Sequence, residues 1–196
     1  MITRLIQDPI ENNTYIIDEN DFVVIIDPTG DINSINNIIR DKNIDAIFLT
    51  HGHYDHIGLV DTLMNKYNCP AYIHELDKEI ARNNPYKDYP GGDVCVKNKL
   101  ISFESTLDIK GHKFDIYHTP GHSEGSVIIK YNNVLFTGDT LFKEGIGRTD
   151  LISSNHRDMI KSLDFIKSFD KDLLVYPGHG DTSDIEHELK YNHYLK

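Results

Sequence analysis

The sequence predicts an α/β fold (α+β in its element order) in which two β-sheets pack face to face and helices cover both outer faces. This prediction depends on two strand-rich blocks, each of which is followed by segments with helical periodicity. A length of 196 residues suffices for one domain with a buried core, and we expect residues 1–196 to form a single domain. A hydrophobic fraction of 39% and a charged fraction of 26% are typical of globular proteins.

The first block begins with a predicted hairpin. Asn13–Asp18 and Phe22–Asp27 are β-branched or aromatic runs separated by a short polar turn. Isoleucines at helical spacing then predict an amphipathic helix over Ile32–Lys42. Asp45–Leu49 is a short apolar strand, and His56–Tyr67 has one apolar face that predicts a second helix.

The first block ends with a predicted strand at Ala71–His74 and a helix at Glu75–Arg82. Pro85–Gly92 contains two prolines and two adjacent glycines, which predict a surface loop. The tyrosines of this loop, Tyr86 and Tyr89, either overhang a pocket or pack locally within the loop.

The second block contains five predicted strands, which are Leu100–Phe103, Thr106–Ile109, Lys113–His118, Ser126–Tyr131 and Asn133–Thr137. Helical periodicity over Ser153–Ser168 predicts a helix, capped by one of the residues 153–155. Leu173–Tyr176 is the last predicted strand, and Asp181–Tyr194 is predicted to be a closing helix.

Charge and composition limit the classes of partner. The formal net charge of −11 repels nucleic acid and anionic membranes, so we expect neither as a partner. Met1–Arg4 lacks the apolar run of a signal peptide, and no stretch reaches transmembrane length. Cys69 and Cys95 lie far apart and are interpreted as free thiols of a reducing compartment. These features predict a cytoplasmic location and leave the oligomeric state open.

The segment Thr50–His56 is the most informative part of the chain, because it holds three histidines and an aspartate within seven residues. Imidazole and carboxylate groups are the ligands that borderline divalent metals prefer. His51 and His53 are two residues apart, so they point to the same side of an extended segment. Asp55 and His56 follow where the chain is expected to turn into a helix, and they can point at a second position. This loop could therefore contribute ligands to two metals.

Three further candidate ligands, His122, Asp139 and His179, each follow a predicted strand and have a glycine nearby. Glycine permits a tight turn and close backbone approach. A histidine or aspartate at a strand end is often only a turn residue or a cap. Together with the first motif, however, these three residues complete a plausible dinuclear ligand set.

In these settings the candidate ligands resemble the pattern of the metallo-β-lactamase superfamily over essentially the whole chain. The resemblance implies an αββα sandwich with the metals at one edge. It implies that a first metal is bound by His51, His53 and His122, a second by Asp55, His56 and His179, and that Asp139 bridges them. Two divalent ions are expected, zinc first, although iron and manganese suit the same ligands. His118 is expected to be structural, and the remaining histidines are expected at the surface: His74, His112, His156, His187 and His193.

Gly138–Phe142 and Gly145–Asp150 resemble glyoxalase II and its single-domain relatives. In glyoxalase II a basic residue at the position of Arg148 helps to hold the carboxylate of glutathione, so Arg148 is expected to bind substrate. The alternative is that Arg148 forms a structural ion pair with Asp150. Asp150 itself stands where glyoxalase II has an aromatic residue that contacts the thiol, which leaves the use of glutathione open.

The resemblance implies a metal-dependent hydrolase of a small-molecule thioester such as S-lactoylglutathione. Two metals lower the pKa of a bridging water toward about 7, and the resulting hydroxide attacks the carbonyl carbon. Asp139 is expected to supply the bridging charge, and Asp55 to orient the nucleophile. One alternative is a persulfide dioxygenase with a single iron held by residues matching His51, His122 and Asp139; another is a lactonase or other ester hydrolase. Dioxygenases typically have Ala-His-Asp or Gly-His-Asp at the last ligand. This chain has Pro177-Gly178-His179-Gly180 there, which favours the hydrolases over the dioxygenase.

Overall fold

The computed structural model describes residues 1–7, 10–89 and 92–196, and these residues form four layers. Two six-stranded sheets pack face to face, and helices cover the outer face of each sheet. This arrangement confirms the predicted αββα sandwich.

The first sheet has the strand order β1-β2-β3-β4-β5-β6. Its strands are β1 (Ile2–Gln7), β2 (Asn12–Glu19), β3 (Phe22–Ile26), β4 (Ala46–Phe48), β5 (Ala71–Ile73) and β6 (Ile101–Ser102). The predicted hairpin is present as β2 and β3, which pair antiparallel. The strands from β3 to β6 then pair parallel, with helices in the connections.

The second sheet has the order β14-β13-β10-β9-β8-β7. Its strands are β7 (Thr106–Ile109), β8 (His112–His118), β9 (Val127–Tyr131), β10 (Val134–Gly138), β13 (Leu174–Pro177) and β14 (Ser183–Asp184). A separate two-stranded ribbon is formed by β11 (Leu141–Phe142) and β12 (Gly145–Ile146). The β10–β13 pair is parallel, so the chain leaves both strands at the same end of the sheet.

The helices are α1 (Ile32–Ile39), α2 (Val60–Tyr67), α3 (Lys78–Arg82), α4 (His156–Ile166) and α5 (Ile185–Tyr191). Short 3₁₀ turns span Tyr54–His56, Glu75–Asp77 and His193–Leu195. In the described ranges, the apolar stretches within helices are all too short to cross a bilayer.

The apolar side chains of the central strands divide between three layers of core. Tyr15 and Ile17 of β2 point between the sheets, where they pack with Phe48 and Phe136. Ile16 points the other way, toward α1 and α2. A third cluster joins the outer face of the second sheet to α4 and α5. Because both faces of β2 and β3 are covered, these strands are apolar without alternation.

Several element boundaries differ from those predicted. The closing helix begins at Ile185 rather than Asp181, because Asp184 is its N-cap and accepts a hydrogen bond from the backbone N–H of His187 at 2.7 Å. The helix predicted to end at Lys42 ends at Ile39, since Arg40 has a positive φ of 55°. The helix predicted from His56 starts as a 3₁₀ turn and becomes α-helical only at Val60. β1 was not predicted, because this edge strand is only half-buried and lacks a clear alternation.

Candidate metal centre

The predicted metal ligands lie together where four strands end. His51 and His53 follow β4 of the first sheet, and His122 follows β8 of the second. Asp139 and His179 follow β10 and β13, and the parallel pairing of these two strands brings the residues side by side. The site is therefore built from both sheets, at one edge of the sandwich.

His51, His53 and His122 form the first ligand group, whose ring nitrogens lie within 4.8 Å of one another. His53 Nδ1 is 2.8 Å from His122 Nε2. All three side chains are buried. This is the trio that the sequence predicted for a first metal.

Asp55, His56 and His179 form the second ligand group, with the same limit of 4.8 Å between ligand atoms. His179 Nε2 lies 3.1 Å from Asp55 Oδ2, and His56 Nε2 lies 3.3 Å from the same oxygen. A Cβ at Gly178 would lie 2.8 Å from His56 Cε1, so only glycine leaves room for the His179 segment to approach.

Asp139 lies between the two groups. Its Oδ2 is 3.4 Å from His122 Nε2 of the first group, and its Oδ1 is 3.4 Å from His56 Nε2 of the second. This is the position that a bridging carboxylate would need.

Hydrogen bonds on the far side of three rings orient the nitrogens that face the centre. His56 Nδ1 donates to Asp27 Oδ2 at 2.9 Å, and His51 Nδ1 donates to Thr50 Oγ1 at 3.1 Å. His122 Nδ1 donates to the backbone carbonyl of Arg148 at 2.9 Å. Each bond selects the tautomer in which Nε2 is free to bind a cation.

The electrostatics of the centre suit a cation. Burial and the neighbouring imidazole of His122 lower the pKa of His53 to about 3, so this ring is neutral, the form in which histidine binds metals. Burial alone would raise the pKa of Asp139, but the neighbouring imidazoles of His56 and His122 outweigh burial and lower that pKa to about 2. The same competition, with His56 again the strongest neighbour, holds the pKa of Asp55 well below its usual value.

Two atoms of the centre are buried without a hydrogen-bond partner among the described residues, namely His51 Nε2 and Asp139 Oδ1. Unpaired buried polar atoms are costly, and a native structure rarely keeps them without a reason. Both atoms belong to predicted ligands and both face the centre. The residues present therefore fit one or two divalent cations.

Sequence reasoning missed several residues that support the centre. Asp27 accepts hydrogen bonds from the backbone N–H of Thr50 at 2.8 Å and from its hydroxyl at 2.6 Å, in addition to the bond from His56. Asn13 donates through Nδ2 to the carbonyls of Pro177 and Gly180, at 3.0 and 2.8 Å, and so fixes the loop of the last ligand. The available signal for Asp27 was its place at the end of an apolar strand. Asn13 has no signal of its own, since its partners lie at the other end of the chain.

A cavity of about 270 Å³ opens onto both ligand groups. Besides five of the ligand residues it is lined by mostly apolar and aromatic side chains, which include Tyr54, Tyr86, Tyr89, Phe142, Ile146 and Leu151. The Tyr86 ring stands perpendicular to that of His53, with 5.1 Å between centroids. Tyr86 and Tyr89 thus line a pocket, whereas Pro90 and Gly91 of the same predicted loop lie outside the described residues.

Arg148 also lines the cavity, but its guanidinium is paired with Asp150. Arg148 Nε and Nη2 donate to the two carboxylate oxygens of Asp150, at 2.8 and 3.0 Å. Both side chains are exposed, at 58% and 69%. The ion pair expected as an alternative is therefore present, at a position where a substrate could still reach Arg148.

The other histidines lie outside both ligand groups. His118 Nε2 donates to the carbonyl of Glu124 at 2.8 Å, and its ring stacks on His74 with 4.1 Å between centroids. His112 is half-buried rather than on the surface, because it stacks on Phe22 at 3.9 Å.

Comparison with known proteins agrees with this geometry. A sequence profile of the metallo-beta-lactamase superfamily matches residues 8–179. A probable metallo-hydrolase of Bacillus subtilis, YqgX, is 36% identical over 197 residues, covering 95% of this chain and 93% of the relative. The hydroxyacylglutathione hydrolase GloC of Haemophilus influenzae is 31% identical, with coverages of 94% and 92%.

Two solved structures are also similar. That of BLEG-1, described as a B3 metallo-beta-lactamase, has a TM-score of 0.93 at 32% identity, with full coverage of both chains. That of TTHA1623 in a di-iron-bound form has a TM-score of 0.88 at 28% identity, covering 98% of this chain and 100% of the other.

Proposed function

Because the chain belongs to the metallo-beta-lactamase superfamily and is a metal-dependent hydrolase of that fold, we propose that it carries two metals and cleaves a small-molecule thioester. S-lactoylglutathione is the first substrate to test. Zinc is the first expected metal, and iron is the alternative suggested by the di-iron form of TTHA1623.

The observation that carries this proposal is the pair of ligand groups joined by one carboxylate. Each group offers three ligand atoms, and Asp139 directs one oxygen to each group at 3.4 Å from a ligand histidine. A single-metal enzyme would not need the second group, in which Asp55, His56 and His179 lie close together and Asp55 and His179 line the cavity.

Two bound cations would supply Lewis-acid chemistry here, namely a lowered pKa of water and a polarised substrate carbonyl. The residues of the chain have distinct roles around them. Asp139, whose pKa is lowered to about 2, keeps a negative charge between the groups. Asp55 is ionised as well and can orient the nucleophile. The tautomers fixed by Asp27 and the Arg148 carbonyl keep the ligand nitrogens directed at the centre.

A thioester suits this cavity for two reasons. A thiolate is a good leaving group and needs little general-acid assistance, so the cavity requires no dedicated proton donor. The aromatic and aliphatic lining also fits an acyl chain and the carbon skeleton of a thiol carrier. The relative GloC, a hydroxyacylglutathione hydrolase by name, supports a glutathione thioester, and Arg148 is proposed to bind its carboxylate.

Metal content per chain, measured by elemental mass spectrometry on protein purified without chelator, tests the metal count. About two metals per chain are expected, as in two-metal hydrolases. One iron per chain, retained when His56 and His179 are replaced by alanine, would instead favour the persulfide dioxygenase, and oxygen uptake with a persulfide would confirm that reading.

Turnover of S-lactoylglutathione tests the assignment of the second group. Asp55→Asn and His179→Ala are each expected to lower kcat sharply while circular dichroism shows an unchanged fold. His118→Ala is the matched control, because His118 also ends a strand but lies outside both ligand groups. Wild-type turnover by both variants would refute the two-metal hydrolase.

A substrate panel separates the remaining hydrolase classes. Lactones and simple esters test the lactonase alternative, and a β-lactam tests the activity suggested by the similarity to BLEG-1. The thioester proposal requires the highest kcat/KM in the panel for a thioester.

A further inference from the structure

Asp77 is a buried carboxylate that the proposed chemistry does not use. It ends the 3₁₀ turn Glu75–Asp77 after β5, and only 1% of it is exposed. Its Oδ2 accepts hydrogen bonds from the backbone N–H of Gly52 at 2.8 Å and from Ser123 Oγ at 2.6 Å. Its Oδ1 accepts from the backbone N–H of Gly125 at 2.6 Å. Both oxygens are thus engaged, and all partners are protein groups.

The three donors belong to the two segments that carry the first ligand group. Gly52 lies between His51 and His53, and Ser123 directly follows His122. These segments leave different sheets, the first after β4 and the second after β8. Asp77 therefore joins the two sheets at the point where the 2.8 Å approach of His53 Nδ1 to His122 Nε2 has to be maintained.

The packing around Asp77 leaves little room for adjustment. A Cβ at Gly125 would lie 2.6 Å from Asp77 Oδ1, and a Cβ at Gly52 would lie 2.7 Å from the Asp77 carbonyl oxygen. A side chain at Gly125 would displace the carboxylate, and a side chain at Gly52 would displace the backbone of Asp77. Ser126 Oγ, 2.7 Å from Ser123 Oγ, extends the network within the His122 loop.

We propose that Asp77 is a positioning residue that fixes the distance between the His51–His53 segment and His122, and thereby sets the metal affinity of the first ligand group alone. The proposal rests on the metal centre described under the proposed function. It deepens that function, because it gives the first group a support that makes no hydrogen bond to the second group.

Single-group variants of the full chain make the test specific. In a chain with Asp55→Ala and His179→Ala, only the first group can bind, and in a chain with His53→Ala and His122→Ala, only the second. Zinc affinity is measured in each by competition with a chromophoric chelator, after removal of metal. Asp77→Asn, which keeps the volume but places an amide N–H₂ against a donor, is then added to both. Asp61→Asn is the matched control, since Asp61 accepts the backbone N–H groups of Lys97 and Asn98 away from the site.

Asp77→Asn is expected to weaken zinc binding to the first group by about 10–100-fold, as loss of outer supports of metal ligands does, and to leave the second group unchanged. Asp61→Asn should alter neither affinity. Equal weakening of zinc binding to both groups would show that Asp77 is merely structural and would overturn the proposal. An unchanged zinc affinity of the first group would also overturn it.

Two further measurements keep the test decisive. If circular dichroism shows that Asp77→Asn does not fold, Ser123→Ala is used instead, because it removes one of the three hydrogen bonds to Asp77. Ser123→Ala is expected to weaken zinc binding to the first group by a smaller factor and to leave zinc binding to the second group unchanged. If the chain with an intact Asp77 and only the first group binds no zinc, the metal centre itself is wrong, and the role of Asp77 falls with it.

Discussion

Replacing Asp27 with alanine removes the acceptor of three buried hydrogen bonds, two from Thr50 and one from His56. The Thr50 hydroxyl can rotate to another acceptor. The backbone N–H of Thr50 cannot rotate, whereas His56 Nδ1 also lies 3.0 Å from the side-chain amide of Asn12. Thr50 and His56 are almost completely buried, with exposures of 2% and 0%. The substitution therefore leaves one buried backbone donor unpaired and removes two further hydrogen bonds.

An unpaired buried donor costs about 1–3 kcal/mol, and each of the two other lost hydrogen bonds costs about 0.5–1.5 kcal/mol. Asp27→Ala should therefore lower the free energy of unfolding by about 2–6 kcal/mol. This is a large part of the roughly 5–15 kcal/mol that stabilises a typical protein. Asp27→Asn keeps one acceptor oxygen, and asparagine tolerates the positive φ of 51° at this position. Its expected loss is therefore smaller than that of the alanine variant.

Urea unfolding of metal-free protein, followed by circular dichroism, measures these losses without a contribution from bound metal. With a slope of about 2 kcal/mol per molar urea, Asp27→Ala should lower the midpoint by about 1–3 M. Asp45→Ala is the matched control, because Asp45 also accepts a strand N–H, that of Val23, but is 13% exposed and water can replace it. A midpoint shift for Asp27→Ala no larger than that of the control would refute the reasoning.

The remaining predictions concern specificity, thiol reactivity and metal removal. Asp150→Asn frees the Arg148 guanidinium and should lower KM for S-lactoylglutathione by about two- to fivefold, because an exposed ion pair contributes little energy. KM for a thioester without a carboxylate should not change. Asp164→Asn, which removes the same charge on α4, should change neither KM. Burial raises the pKa of Cys69 to about 11, so a thiol reagent at pH 8 should label Cys95 first, and equal rates would contradict this expectation. Readdition of zinc at 100 times its Kd to chelated protein should raise the free energy of unfolding by about 2.7 kcal/mol for each site that is filled, and an unchanged value would contradict zinc binding to the folded chain.

The candidate ligands, which the structure brings together, could be identified from the sequence because their signal is local. Four of them lie within Thr50–His56, and the others stand beside a glycine at the end of an apolar strand. The supports of these ligands could not be predicted in the same way. Asp77 accepts hydrogen bonds from three residues that are separated from it by 25, 46 and 48 positions along the chain. No pattern in the sequence around Asp77 indicates those partners.

The layers of the fold were predictable for a similar reason, and the ends of its elements were not. The apolar runs of β2 and β3 indicate strands because both of their faces are buried. The start of α5 depends instead on whether Asp184 or an earlier residue caps it, a choice decided by the pairing of β14 with β13. Such tertiary contacts decide between caps of nearly equal local preference.

The spacing of the ligands along the chain orders the assembly of the centre during synthesis. His53 and His122 are 69 residues apart, whereas Asp55 and His179 are 124 residues apart. At a synthesis rate of about 5–20 residues per second, His179 follows Asp55 by about 6–25 s. All three histidines of the first group, and then Asp139, are therefore synthesised before His179 completes the second group. In a nascent chain the first group can therefore be complete while the second still lacks its last residue.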